Sequence, residues 1–221
     1  MHANYPLDAA AVLLVESDGT AVEVAAEMAE ITDVLKASGA TEIRVSQDEA
    51  QRLLYWSGRK AAFPAVGRIS PDYYCIDGTI PRAALPRVLR QIEDWSREFG
   101  LPCANVFHAG DGNLHPLILF DANRPGDTER TLAFGDRILE LCIEVGGTIT
   151  GEHGVGVEKL GGMCAQFGTA ELTRFLAIKR AFDEHGLLNP GKGVPTLARC
   201  AEFGRMHVHA GELRHPELPR F

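Results

Sequence analysis

The sequence lacks the features of several common protein classes. Its apolar runs are all shorter than the roughly 18 residues that span a bilayer. Its N-terminus has neither the basic region nor the long apolar stretch of a signal peptide. Basic residues are outnumbered, 22 against 30 acidic ones, and the net charge of −8 repels phosphate backbones. We therefore expect no membrane span and no nucleic-acid partner.

Paired cysteines and three common enzyme signatures are absent too. The sequence has no G-x-S-x-G elbow and no phosphate-binding G-x-x-x-x-G-K-[ST] loop, and GEHGVG spaces its glycines wrongly for a dinucleotide fingerprint. No C-x-x-C pair occurs, so a structural zinc ribbon is not expected. The odd number of cysteines favours reduced thiols in a cytoplasmic protein. These cysteines are Cys75, Cys103, Cys142, Cys164 and Cys200.

The hydrophobic spacing of the remaining sequence predicts alternating strands and helices. Strands are predicted at 11–16, EIRV, 73–76, ANVFH, LHPLILF and TIT. Helices are predicted over 21–39, over 86–99 up to Gly100, and from an Asp127 cap to Val145. Another helix is predicted from a Ser46–Glu49 capping box past Trp56, and the chain after GEHGVG is predicted to be helical to about His185.

These elements predict the α+β class, because the central strands are joined by a turn far too short for a parallel crossover. We expect one domain over residues 1–221. It would have an antiparallel sheet backed by helices, in roughly two ferredoxin-like halves, followed by a C-terminal helical segment. The stretch AAFPAVGRISPD, residues 61–72, is expected to be a mobile loop between the halves.

Candidate chemistry is concentrated in two glycine-rich motifs. HAGDGNLH puts His108 and His115 on either side of a turn, where opposed side chains of a hairpin have Cβ atoms about 4.5–5.5 Å apart. GEHGVG adds Glu152 and His153. Two histidines and a carboxylate with open positions suit a catalytic Zn, Mn or Fe ion. The alternative is that the two histidines are hydrogen-bonded core residues and GEHG is an ordinary turn.

Two other groups of residues have competing interpretations. Arg59, followed by Lys60 at a helix end, could favour the helix C-terminus or could bind a substrate carboxylate through both guanidinium nitrogens. The histidines of HVH, residues 207–209, could bind metal, but alternating histidines in a tail are more often typical of a solvated strand.

Four stretches together resemble a known family. HAGDGNLHPLILFD, GGTITGEHGVGVEKL, DYYCIDGTIPRAAL and GLLNPGKGVPT are similar to the C-terminal half of the FAD-linked oxidases of the vanillyl-alcohol oxidase superfamily. The similarity is greatest to the glycolate oxidase members, and D-lactate and D-2-hydroxyglutarate dehydrogenases are relatives. It runs from PLDAAAVLLVESDG essentially to the C-terminus, and nothing in the chain corresponds to the family's N-terminal FAD-binding domain. The resemblance therefore implies that residues 1–221 form the substrate (cap) domain.

The resemblance also implies roles for individual residues. It makes His108, His115 and Glu152 metal ligands and His153 the active-site base. Arg59 would face the substrate carboxylate, and Asn189 and Lys192 would lie where the C-terminal segment meets the flavin. Leu117 stands where the 2-hydroxyglutarate enzymes have a polar substrate-contacting residue, which favours a small substrate.

The implied function is the metal- and substrate-binding half of an FAD-dependent 2-hydroxy-acid oxidase or dehydrogenase, acting on glycolate or D-lactate. Its expected partners are a small 2-hydroxy acid, an FAD-binding domain and other oxidase subunits, which could hold it peripherally at the inner membrane. Two alternatives remain open: a non-catalytic module that binds metal or ligand, and a metal-dependent oxygenase or hydrolase without flavin.

Overall fold

The computed structural model describes residues 4–196, and the chain divides into two compact units, residues 1–65 and 66–221. The division falls inside the 61–72 stretch that was expected to be a loop. A short helix, Ala62–Val66, occupies the first part of that stretch, so the expected loop is partly helical.

The described part of the first unit is helical. Helix α1 (Ala21–Ala37) begins with a capping box between Thr20 and Glu23 and ends just before Gly39, which has a φ of 85°. Helix α2 (Glu49–Lys60) begins at Asp48, whose side chain accepts a hydrogen bond from the Gln51 N–H. The predicted Ser46–Glu49 capping box is therefore wrong, although the helix lies where it was expected. Helix α3 is Ala62–Val66.

The strands predicted at 11–16 and EIRV are not formed within residues 4–65. Val12, Leu13, Val15 and Val45 are all exposed, so the apolar pattern of these segments is not buried against a core. A strand needs a hydrogen-bonded neighbour as well as a suitable sequence, and no described segment of this unit provides one. A ferredoxin-like half is consequently not formed by these residues.

The second unit contains two antiparallel sheets. Strands β1 (Asp72–Cys75), β3 (Cys103–Asn105) and β5 (Pro116–Phe120) form a sheet in the order β1-β5-β3, with Tyr74 opposite Ile118. Strands β2 (Gly78–Thr79) and β4 (Asn113–Leu114) form the other sheet. The predicted TIT strand is reduced to one bridge between Thr79 and Thr148.

Helices back these sheets, which confirms the α+β class. A 3-10 turn (Arg82–Ala84) precedes α4 (Leu85–Phe99), and α5 (Asp127–Glu144), α6 (Leu160–Gln166) and α7 (Thr169–Phe182) follow. Helix α5 has Gly126 rather than Asp127 as its N-cap. In the part of the chain that the structure describes, no helix is both long and apolar enough to cross a membrane.

The core lies between the helices and the larger sheet. The predicted apolar stripes of α4 and α5 supply much of it, and Ile76, between β1 and β2, and Ile118 of β5 pack against them. Gly100 ends α4 in the left-handed conformation (φ 65°), as the sequence predicts. The fully buried members from the two helices are Val88, Ile92, Phe134, Ile138 and Cys142.

The cysteines correct one expectation. Cys75, Cys103 and Cys142 are free thiols, as predicted for reduced cysteines. Cys164, however, is disulfide-bonded, so the prediction of reduced thiols throughout is wrong at that position. The fifth cysteine, Cys200, lies outside the described residues.

Gly147 is where the backbone leading toward GEHG approaches β2. A Cβ atom at Gly147 would lie 2.0 Å from the Thr79 carbonyl oxygen and 2.8 Å from the Cys142 carbonyl oxygen. Both obstacles are backbone, so neither can rotate away. Next to this contact, Thr79 and Thr148 exchange two backbone hydrogen bonds of 2.9 and 2.8 Å. Glycine at 147 is therefore required for this bridge.

We expect Gly147→Ala to lower the free energy of unfolding by at least about 1–3 kcal/mol, the usual effect of overpacking. Gly161→Ala is the matched control, because a Cβ at Gly161, within α6, meets no atom within 4 Å, and alanine favours a helix by up to about 1 kcal/mol. Denaturant titration of both variants measures the difference. Equal unfolding free energies would contradict the close approach at Gly147.

Candidate active site

A tight turn brings the two histidines of HAGDGNLH together. The His108 N–H donates to the Asn113 carbonyl (3.0 Å), and the His108 carbonyl accepts from the Gly112 N–H (3.0 Å). Gly112 has a φ of 73°, and a Cβ there would lie 2.1 Å from the Ile80 carbonyl oxygen, so only glycine fits. His108 is paired with Asn113 and not directly with His115, which corrects the expected register. The two imidazoles are nevertheless 5.5 Å apart, edge to face.

His115 is the buried member of the pair. Only 2% of this residue is exposed, and burial lowers the pKa of its imidazole in spite of the hydrogen bond with Glu152, which acts in the opposite direction. The ring is therefore neutral near pH 7, which is the form that binds metal ions. Its Nε2 atom lies 2.8 Å from Oε1 of Glu152.

The Glu152 carboxylate lies among three imidazoles. Its Oε1 atom is 2.8 Å from Nε2 of His115, 3.9 Å from Nε2 of His108 and 3.8 Å from Nε2 of His153. One ligand atom from each of His108, His115 and Glu152 lies within 4.8 Å of the others. The His153 ring stacks on the His115 ring, with centroids 4.9 Å apart and planes 10° from parallel. The two motifs singled out from the sequence thus form one cluster.

A buried carboxylate fixes the backbone of the second motif. Asp77, between β1 and β2, accepts hydrogen bonds from the Thr150 hydroxyl (2.8 Å) and from the backbone N–H groups of residues 151, 152 and 153 (3.0, 3.2 and 2.9 Å). Four donors on one short segment therefore converge on one side chain. This arrangement orients the Cα–Cβ bonds of Glu152 and His153 toward the histidine turn.

Lys159 supplies the balancing charge for Asp77. Its ammonium lies 3.3 Å from Oδ2 and 3.1 Å from the backbone carbonyl of Asp77, and both residues are buried. Burial alone would raise the pKa of Asp77, but the hydrogen bonds from residues 150–153 and the charge of Lys159 outweigh it and hold that pKa well below its usual range. Asp77 is therefore ionised at neutral pH.

The first glycine of GEHG permits this packing. A Cβ atom at Gly151 would lie 2.4 Å from Oδ1 of Asn113 and 2.6 Å from Oγ1 of Thr79. The loop therefore lies directly against the small β2–β4 sheet, whose β4 strand precedes His115. This contact holds the two motifs at a fixed separation.

The other predicted site residues lie elsewhere. Arg59 is in the last turn of α2, in the first unit, and its role stays a prediction. Asn189 and Lys192 are exposed and belong to one turn, in which the Lys192 N–H donates to the Asn189 carbonyl (3.2 Å). The next residue, Gly193, donates its N–H to the Gly156 carbonyl (2.8 Å). This turn is therefore attached to the end of the GEHGVG motif.

Two further sequence-based interpretations have different outcomes. Leu117 is fully buried in β5, opposite Cys75 and Ala104. Its apolar character therefore has a packing explanation, and the inference about substrate size stays a prediction. The HVH histidines, residues 207–209, lie outside the described residues.

Sequence reasoning missed Asp77, Lys159 and Cys75. In CIDGT the aspartate precedes a glycine, a pair typical of a turn, so the sequence gives little indication of a buried ion pair at Asp77. Cys75 is a half-buried free thiol beside His115 and His153. Burial, followed by the negative charge of Asp77, raises the pKa of this thiol to about 11. The available signal for Asp77 was its position directly after the strand predicted at 73–76, whose last residue, Ile76, is fully buried.

Comparison with known proteins identifies the class. Residues 1–193 match the family described as FAD linked oxidases, C-terminal domain, and the chain belongs to this family. It is 62% identical over 221 residues to the glycolate oxidase subunit GlcD of Escherichia coli (strain K12), covering 100% of this chain and 44% of that protein.

Two more distant relatives point the same way. Identity to the glycolate oxidase subunit GlcD of Bacillus subtilis (strain 168) is 35% over 187 residues, covering 85% of this chain and 40% of the relative. Identity to the probable mitochondrial D-lactate dehydrogenase of Danio rerio is 27% over 182 residues, covering 81% and 37%. The chain thus spans less than half the length of these curated relatives.

We expect Asp77→Asn to lower the free energy of unfolding by about 3–5 kcal/mol, because it leaves the Lys159 charge buried without its partner. The control is Glu98→Gln, which removes an ion pair with Arg137 (2.6 Å) whose side chains are 59% and 40% exposed and should cost about 0–1 kcal/mol. Denaturant titration at pH 7 measures both effects.

The pH dependence of the Asp77 effect has a definite sign. The folded-state pKa of Asp77 is lower than its unfolded value. The advantage of the wild type over Asp77→Asn should therefore be complete above about pH 4 and shrink as the pH falls further. An advantage that grew on acidification would contradict an ionised, buried Asp77.

Proposed function

We propose that this chain is the metal- and substrate-binding half of a flavin-dependent oxidoreductase that oxidises small 2-hydroxy acids, glycolate or D-lactate. The observation that carries the proposal is the convergence of three imidazoles on the Glu152 carboxylate in a chain of the FAD-linked oxidase family. The names of the relatives, glycolate oxidase subunit and D-lactate dehydrogenase, support the substrate class.

His108, His115 and Glu152 are the proposed ligands of a divalent Zn, Mn or Fe ion. Their donor set fits such an ion, because two imidazole nitrogens and one carboxylate oxygen leave open positions. Two observations support the fit. One ligand atom from each of the three residues lies within 4.8 Å of the others, and the imidazole of His115 is buried and neutral. A bound ion supplies Lewis-acid stabilisation of the substrate's developing alkoxide.

His153 is the proposed general base. Its imidazole is about half exposed, stacks on His115 and is outside the proposed ligand set. The Nε2 atom would accept the proton of the substrate hydroxyl, and the fixed backbone of residue 153, through its bond to Asp77, keeps the ring beside the metal ligands. Arg59 is proposed to bind the substrate carboxylate, for which a guanidinium is well suited.

FAD is the proposed redox cofactor, as expected for a member of an FAD-linked family. A bound flavin would supply the acceptor for the hydride from the substrate carbon. Asn189 and Lys192 are proposed to contact it, since both are exposed on a turn joined to the GEHGVG segment. The remaining flavin contacts would come from an FAD-binding domain, with further oxidase subunits as partners and the cytoplasm as the expected location.

We expect the chain to bind one Mn²⁺ or Zn²⁺ ion. Glu152→Ala and His108→Ala each remove a proposed ligand, so they should weaken binding more than the loss of a residue that only supports a ligand, which costs about 10–100-fold. His185→Ala is the control, because His185 is exposed and distant in sequence from both motifs. Isothermal titration of each variant measures the affinity. Unchanged affinity in Glu152→Ala would contradict the assigned ligand set.

We expect His153→Ala to keep its metal and lose turnover by about 10²–10⁴-fold, the usual effect of removing a general base. The measurement is flavin reduction by glycolate or D-lactate in the complete oxidase, together with its metal content. Glu152→Ala should lose metal and turnover together. A His153→Ala enzyme that reduced its flavin at the normal rate, or that lost its metal, would overturn the division of roles.

A further inference from the structure

A second group of potential ligands overlaps the first and includes a thiol. The Cys75 sulfur and one ring nitrogen each of His115 and His153 lie within 4.8 Å of one another. Cys75 ends β1 and is a free, half-buried cysteine, and no role proposed above uses it. We propose that Cys75, His115 and His153 form a binding site for thiophilic cations such as Cd²⁺ or excess Zn²⁺, and that an ion held there inhibits the proposed oxidation.

The chemistry of the ligand atoms separates this site from the first. One sulfur and two imidazole nitrogens are a softer donor set than two nitrogens and a carboxylate oxygen, and soft ligands select soft ions. Cd²⁺ is softer than Zn²⁺, whereas Mn²⁺ prefers oxygen. Cys75, His115 and His153 therefore favour Cd²⁺ over Mn²⁺ more strongly than His108, His115 and Glu152 do.

The surroundings of Cys75 favour a cation. Two carboxylates lie beside the His115 ring. Oδ1 of Asp77, which is ionised, is 4.0 Å from Nδ1, and Oε1 of Glu152 is 2.8 Å from Nε2. His153 is about half exposed, so an ion can reach the group from solvent. Binding replaces the sulfur–hydrogen bond of Cys75 with a sulfur–metal bond and releases the proton to water.

The two sites compete because both include His115. Two divalent cations bound around one imidazole would lie close together and repel each other strongly. An ion in the Cys75 site also occupies a nitrogen of His153. Under the proposed function, which this step assumes, His153 could then no longer accept the substrate proton, so turnover would stop.

The binding site can be tested without any activity assay. Titration of the chain with Cd²⁺ should produce the ultraviolet charge-transfer band of one cadmium–thiolate bond. Cys75→Ser should abolish this band and weaken Cd²⁺ binding by at least tenfold, while leaving Mn²⁺ affinity within twofold. Cys103→Ser is the matched control, since Cys103 is also a free, half-buried cysteine on a strand, and it should behave like the wild type.

Two histidine variants complete the test of the site. His108→Ala removes a ligand of the first site only and should keep the cadmium–thiolate band. His153→Ala should weaken it. A band that survives Cys75→Ser, or that disappears in Cys103→Ser or His108→Ala, would overturn the assignment.

Inhibition is tested separately in the complete oxidase supplied with Mn²⁺. Cd²⁺ should inhibit the wild type. The Cys75→Ser enzyme should need at least a tenfold higher Cd²⁺ concentration to lose the same fraction of its activity without Cd²⁺. Equal sensitivity of both enzymes would overturn the inhibition. Failure of the proposed function would show differently, as normal flavin reduction by His153→Ala, and would leave the cadmium–thiolate result unaffected.

Discussion

The arrangement of the candidate site depends on the burial of one carboxylate. An ionised aspartate with no solvent contact is strongly unfavourable unless hydrogen bonds and an opposite charge compensate it. Around Asp77 the compensation comes from the Thr150 hydroxyl, three successive backbone N–H groups and the Lys159 ammonium. Those N–H groups belong to residues 151–153. In the conformation that satisfies Asp77, the segment presents Glu152 and His153 to the histidine turn.

Glycines make the same arrangement possible on the opposite side. Gly112 in the histidine turn and Gly151 in the second motif both lie where a Cβ atom would collide with their neighbours, at 2.1 and 2.4 Å. Both contacts involve the β2–β4 sheet or the residue next to it. The small sheet therefore joins the two motifs: β4 belongs to the histidine motif, and Gly151 of the second motif lies against Asn113 of β4 and Thr79 of β2.

The extent of sequence prediction follows from the range of the interactions. Helices α1 and α4 were predicted well because caps and apolar spacing are local. The segments 11–16 and EIRV were assigned wrongly because strand formation also requires a partner. The cluster of His108, His115 and Glu152 was predicted from motifs and family resemblance. The hydrogen bonds that Asp77 accepts were not predicted. Their N–H donors are 74–76 residues away from Asp77 in the sequence.

The solvent exposure of the four clustered side chains indicates whether the cluster suits a structural or a catalytic metal site. His115 has 3% of its side chain exposed, whereas His108, His153 and Glu152 have 48%, 46% and 54%. Structural metal sites are closed on all sides, while catalytic sites leave a position for water or substrate. One buried imidazole fixed among three half-exposed groups leaves one side of the cluster open. Under the proposed function, a substrate approaching from that side would meet His153 without displacing the ring stacked on His115, so the proposed metal binding and proton removal would fall on neighbouring residues of one motif.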